Sequence, residues 1–190
     1  MTIHRIAAAL TLGLLFAGAA AAQTALTPAS PQPDGLKTGL WVNYAYPADV
    51  KTLKVARDWL NSGKEAGPPL IGLDYMDSDP GAPVLTSKRA EFVAAEIGGY
   101  VRFDQPGVWG LQIHSNDGAL VTFGGAEVDR FNGRRPCDTN GWVEVSVPQA
   151  GWYAVSATYY QRLNTGCLMM RWRKPDGTTE WTPRDAWGFR

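Results

Sequence analysis

From Ala90 onward the chain alternates apolar and polar residues with a period of two. In "GVWGLQIHS", Trp109, Leu111 and Ile113 fall on one face, with Gly110, Gln112 and His114 on the other. In "WVEVSV", Val143, Val145 and Val147 alternate with Glu144 and Ser146. The runs "EFVAAEIGGYVRF", "ALVTFGG", "AEVDRF", "WYAVSATYYQ" and "CLMMRWRKP" are likewise short and rich in β-branched and aromatic residues. Gly-Gly, Asn-Gly, Pro-Gly and Asp-Gly pairs stand between the runs. Many short strands with close turns predict an all-β fold, an antiparallel sandwich or barrel.

Before Ala90 the pattern changes. "GLWVNYAY" (Gly39 to Tyr46) has strand composition and is stopped by Pro47. In "ADVKTLKVARDWLNSGK", Val50, Leu53, Ala56 and Leu60 recur at helical spacing, which predicts one short helix. Asp49 is its expected cap, and Gly63 suits the position after its end. Residues 65–87 are rich in Pro and Gly and predict loop, with a short strand in "PLIGLDYM". Residues 23–35, with three Pro among small polar residues, read as an extended leader.

Residues 1–22 read as a removable export signal. Arg5 is followed by an apolar run from Ile6, and small residues end in Ala20-Ala21-Ala22. Gly13 and Gly18 break the run, which favours cleavage after Ala22 over a membrane anchor. The expectation is therefore a secreted or periplasmic bacterial protein without a membrane span after signal removal. The remaining 168 of 190 residues suit one domain, residues 36–190 following the leader.

Charge excludes one class of partner. The chain has 18 Lys and Arg against 18 Asp and Glu, so it has no electrostatic reason to seek nucleic acid or anionic membrane. Eight Trp, seven Tyr and six Phe are many; aromatics fill sheet cores and also stack on sugars. Cys137 and Cys167 are the only cysteines, and an oxidising compartment favours joining them as a structural disulfide. One His outside the signal and no paired-cysteine spacing argue against zinc.

"HSNDGAL" (His114 to Leu120) is a turn string, since Gly tolerates positive φ and Asn or Asp bonds its own backbone. It also offers oxygen ligands for a cation. In "DRFNGRRPCDTNGW", Arg134, Arg135 and Asp138 either solvate a long loop or reach a ligand. "DYMDSDPG" lacks the following Gly and bidentate Glu of an EF-hand and reads as a solvated turn. Trp152, Tyr153 and Tyr159 lie in strands and read as core. A Ser-His-Asp grouping of Ser115, His114 and Asp117 fails because strand neighbours point to opposite faces. No carboxylate pair stands out as catalytic.

The ordered set "DGLKTGLWVNYAY", "EFVAAEIGGYVRFDQPGVWGLQIHSNDGALVTFGG" and "VEVSVPQAGWYAVSATYYQRLNTGCLMMRWRKPDG" resembles the PA14 domain, a secreted β-sandwich module. The likeness spans roughly residues 36–189, is strongest over 97–175, and leaves the helix as an insertion. It implies a non-catalytic module. In the sugar-binding members, two consecutive Asp on the loop matching "SNDG" hold calcium, commonly across a cis peptide. A second loop, matching "RLNTG", adds an Asn side chain and backbone carbonyls. By that resemblance Asn116, Asp117 and Asn164 would ligate calcium, Thr165 would add a carbonyl, and a glycan or polysaccharide would complete the shell. The Cys137–Cys167 bridge, if formed, would bring the loop of Arg134, Arg135 and Asp138 near the Asn164 loop, where Arg135 and Asp138 could reach a ligand. Asn116 departs from the pattern, which removes one negative charge and predicts looser calcium binding.

The sequence thus supports two functional readings. One is an exported, adhesin-like carbohydrate-binding module. The other is a non-catalytic envelope or surface-assembly protein that uses its sandwich to contact other envelope proteins. An enzymatic role is expected only as an accessory subunit of a glycoside-processing system.

Overall fold

The structure, a computed structural model, describes residues 23–190; the expected export signal lies outside the described residues. In chain order the first elements are β1 (Thr24–Ala25), β2 (Lys37–Thr38), β3 (Trp41–Ala45), α1 (Leu53–Ser62), β4 (Glu65–Ala66) and β5 (Asp74–Tyr75). The long strands follow: β6 (Val93–Phe103), β7 (Gly107–Asn116), β8 (Gly118–Phe123) and β9 (Ala126–Phe131). The chain closes with β10 (Asp138–Thr139), β11 (Val143–Val147), β12 (Gly151–Gln161), β13 (Cys167–Arg173), β14 (Thr179–Trp181), a short 3-10 turn and β15 (Trp187–Phe189).

These strands form two facing sheets. The first runs β1-β11-β7-β13-β14, with β10 and β5 joined to β7 and β13. The second runs β2-β15-β6-β12-β8-β9, with β3 and β4 beyond β6. All pairs are antiparallel except β1 with β11, whose register sets Thr24 against Val145. The leader is therefore tied to the sandwich: Leu26 is buried, and the Gln32 side chain accepts from Trp152 N and donates to Trp152 O.

The period-two faces meet in the middle. Trp109, Leu111, Ile113, Val145, Val147, Leu168, Met170 and Trp172 line one sheet's inner face. Val101, Phe103, Val121, Phe123, Tyr153, Val155 and Tyr159 oppose them. Phe103 packs edge-on to Trp109 with ring centres 4.9 Å apart and to Tyr153 at 5.3 Å, a geometry that suits the quadrupoles of the rings. Trp152 lies half-buried on the outer side, a consequence of the same alternation that buries Tyr153.

Helix α1 forms where predicted but with a different cap. Thr52 Oγ1 accepts from Val55 N at 3.2 Å, so Thr52 ends the helix; Asp49 instead pairs with Arg162 Nε at 2.6 Å. Leu53, Ala56 and Leu60 pack with Val50 on Ala45, Ala94 and Tyr160, a second apolar cluster on the outside of the β6-β12 sheet. The "ALVTFGGAEV" hairpin turns on Gly124 and Gly125, with φ of 52° and 80°, values that L side chains resist. Gly118 is different from the expectation. Its φ is not left-handed; a Cβ there would fall 2.3 Å from the Tyr160 ring, so close packing is what requires glycine.

Candidate functional site

One end of the sandwich gathers three loops: the β7–β8 turn, residues 132–137 after β9, and residues 162–166 between β12 and β13. Between them lies a cleft of about 440 Å³ lined by Asn116, Asp117, Arg134, Arg135, Pro136, Leu163, Asn164 and Thr165. The loops are fixed by their strands. Cys167 pairs with Asn116 in the β13–β7 register, which sets the 162–166 loop directly beside the turn. The Cys137–Cys167 disulfide, closing a loop of 30 residues, ties the third loop to the same point.

The Asn116–Asp117 peptide is cis. Asn116 Nδ2 donates to Thr165 Oγ1 at 2.9 Å and its carbonyl accepts from the buried Tyr159 hydroxyl. Asp117 N donates to Tyr160 O at 3.2 Å, and Asp117 Oδ2 accepts from Arg162 N at 2.8 Å. Asn164 sits at φ 70°, with its N–H on Glu91 Oε1 at 3.0 Å. The Thr165 carbonyl accepts from Gln161 Nε2 at 3.2 Å, and the Gly166 carbonyl from Ser78 N at 3.1 Å. Thr165 can still offer a second lone pair.

Arg135 borders the cleft, yet most of its guanidinium is committed inward. Nε donates to Ser115 O at 3.1 Å, Nη2 to Ser115 Oγ at 2.7 Å and Nη1 to Asn140 Oδ1 at 3.1 Å. Its carbon lies 4.1 Å from the centre of the Phe131 ring. Asp129 faces it at 3.9 Å, both side chains less than a tenth exposed. Burial pushes the Asp129 carboxyl up and the Arg135 guanidinium down, so desolvation outweighs their attraction on both partners. Asp138 lies outside the cleft lining; it pairs with Ser115 on β10 and its carboxylate accepts from Thr139 N at 2.8 Å.

Burial likewise raises Asp117, against the opposing pull of the Arg162 N–H and the Arg134 charge. The fold therefore favours a proton on Asp117 over the window between the ordinary carboxylate value and the raised one. Stability from this group is full at low pH and falls as pH rises through that window. In chelator, Asp117→Asn is expected to melt at or above wild type at neutral pH, with the gap closing in acid. A pH series of thermal melts checks this; a gap that widens in acid overturns it.

The inward Ser115 and outward His114 point apart, and Ser115 Oγ donates to Asp117 O at 3.0 Å while accepting from Arg135. No Ser-His couple exists at this turn. Asp77 approaches Cys137 and Cys167, but the disulfide leaves those sulfurs without thiolate character, so the trio is no metal centre. Arg162, Glu91 and Ser78, which hold the loops, were invisible in sequence because they reach across 45, 73 and 88 residues.

No protein-family model and no curated protein matches the chain. Solved structures do. The PA14 domain of the MpAFP antifreeze protein superposes with a TM-score of 0.65 at 15% identity, over 83% of this chain and 93% of that one. A PA14 sugar-binding domain from an RTX adhesin gives 0.63 at 14% identity, over 80% and 99%. The Epithelial Adhesin 9 A domain from Candida glabrata, solved with Galb1-3GlcNAc, gives 0.66 at 15% identity, over 88% and 95%. The chain has the PA14-type β-sandwich fold.

Proposed function

We propose that this PA14-type sandwich is a lectin-like module that binds glycan in the cleft between the Asn116-Asp117 turn and the Asn164 loop. The observation that carries the reading is convergence. Asn116, Asp117, Asn164 and Thr165, separated by up to 49 residues, line one cleft and two of them share a hydrogen bond. Among structures of like fold, one is a PA14 sugar-binding domain from an RTX adhesin and another, the Epithelial Adhesin 9 A domain, is in complex with Galb1-3GlcNAc.

The donor set fits calcium. Asn116, Asp117 and Asn164 bring carboxylate and amide oxygens with no nitrogen or thiolate ligand, the chemistry a hard cation takes. With Nδ2 of Asn116 held by Thr165, the amide oxygen is the end left for a cation. Bound calcium would supply coordination positions for vicinal sugar hydroxyls. The chain's own residues orient the loop: Tyr159 and Arg135 fix its carbonyls, and Arg162 fixes Asp117. A single carboxylate, with the Arg134 charge nearby, predicts weak affinity in the range of extracellular modules. The wider reading is of an exported, adhesin-like protein, for which the disulfide is suitable chemistry. Among the described residues no helix is long and apolar enough to cross a membrane.

Thermal melts in calcium and in chelator test the metal. Calcium at about 100 times its dissociation constant should stabilise by ~2.7 kcal/mol, roughly 5–10 °C for a domain of this size, and the shift should vanish in Asp117→Ala. No shift at about 10 mM calcium, beyond the range of extracellular modules, would retire the metal. A glycan array in calcium and in chelator then tests the sugar; no bound glycan in either condition would retire the lectin reading.

A further inference from the structure

Away from the cleft, the outer face of the β11-β7-β13-β14 sheet carries an aromatic and cationic cluster. Arg171 lies between two indoles, its guanidinium carbon 5.2 Å from the Trp142 ring centre and 5.8 Å from that of Trp181. Its Nε donates to Gln112 Oε1. His114 packs on Trp181 with ring centres 5.5 Å apart, and Arg173 lies 5.1 Å from the Trp142 ring centre. Trp181 is 48% exposed, and Trp142, Arg171 and Arg173 are half-exposed.

This face departs from an ordinary solvated sheet surface in two respects. Trp181 at the end of β14 is exposed and Trp142, just before β11, is half-exposed, where a polar residue would serve a solvated surface equally well. Arg171, like Arg57, Arg89, Arg102 and Arg134, has no carboxylate within salt-bridge distance among the described residues, and of these arginines it is the one set between two indoles. A guanidinium held flat by two rings and one amide keeps donors for a planar, bidentate anion. Indole faces, negative at their centres, receive the C–H-bearing face of a pyranose ring. One ligand supplies both groups: a sugar with a ring carboxylate.

We propose that this face is a second binding surface, for an acidic polysaccharide built from uronic acids, with Arg171 taking the carboxylate and Trp142 and Trp181 the sugar faces. Gln112, His114 and Asn116 alternate along β7, so the cluster runs up to the cleft along one strand face, with Gln112 roughly 14 Å from Asn116. That spacing suits a chain-like ligand over a single sugar. The balanced charge of the chain argues against nucleic acid as the anion.

Affinity electrophoresis of the whole protein through gels containing polygalacturonate, in chelator and at low salt, tests the surface apart from the cleft. Wild type should be retarded. Arg171→Gln and Trp181→Ala should each weaken binding by about tenfold, the size of a lost charge-assisted contact. Arg130→Gln, which removes the same charge from an exposed site on the other sheet, should be retarded as wild type relative to polymer-free gels, and Arg171→Gln should keep the calcium response of the melting temperature. Both surface side chains are exposed enough that neither variant should lose the fold, which a melt verifies. The proposal is overturned by unretarded wild type, by retardation indifferent to both variants, by equal retardation in dextran, or by tighter binding to a single-stranded oligonucleotide.

Discussion

Arg135→Ala should destabilise the protein by about 3–5 kcal/mol at neutral pH, the cost of leaving a buried charge without its partner. Asp129 would then keep the Asn140 amide at 2.8 Å and the Arg130 backbone as its polar partners, and its Oδ2 already lacks a hydrogen bond. Ser115 would lose two bonds as well. The sign with pH follows from the Asp129 carboxyl, which burial already raises. Without Arg135 it rises further, which widens the window between the ordinary carboxylate value and the raised one over which the native state binds the proton more tightly than the unfolded chain. The deficit should be largest at neutral pH and shrink as pH falls through the raised value. Urea melts of Arg135→Ala at neutral and acid pH measure this, and Asp129→Asn in the same background should recover much of the loss. A deficit below about 1 kcal/mol would mean the pair behaves like a surface contact.

Replacing both cysteines should cost about 3–4 kcal/mol on the chain-entropy model for a loop of this length. For a domain of this size that is roughly 6–16 °C in melting temperature. Differential scanning calorimetry of Cys137→Ala/Cys167→Ala, with reduced wild type alongside, checks it. Since the bridge joins the loop of Arg134 and Pro136 to the strand beginning at Cys167, calcium affinity should fall with it. Unchanged affinity would show that hydrogen bonds alone hold the cleft together.

The sandwich was legible in sequence because its signal is local. Alternation along β7, β11 and β12 names the buried face residue by residue, and Gly124-Gly125 names its own turn. The short strands β14 and β15 were not read, since three residues carry too little pattern to count. The helix cap was misassigned for a related reason: Asp49 and Thr52 are both good caps, and the choice fell to Arg162, which claims Asp49 from 113 residues away. At the cleft, Asn116, Asp117, Asn164 and Thr165 were picked out by resemblance. Arg135 was left between solvating its loop and reaching a ligand; the structure sets it on the cleft border with its guanidinium hydrogen-bonded to Ser115. Trp181 had no local signal, because an exposed indole and a buried one look alike in a short strand.

The sandwich holds the cleft loops largely by their main chain. The carbonyls of Ser115, Asn116 and Thr165 are taken by Arg135, Tyr159 and Gln161, and Asp117 N by Tyr160. Such bonds are indifferent to which side chain hangs from the gripped residue. Shape and chemistry are thereby inherited separately: residues 134 and 163 can change while the loops keep their path. Changes at those two positions need no renegotiation with the core.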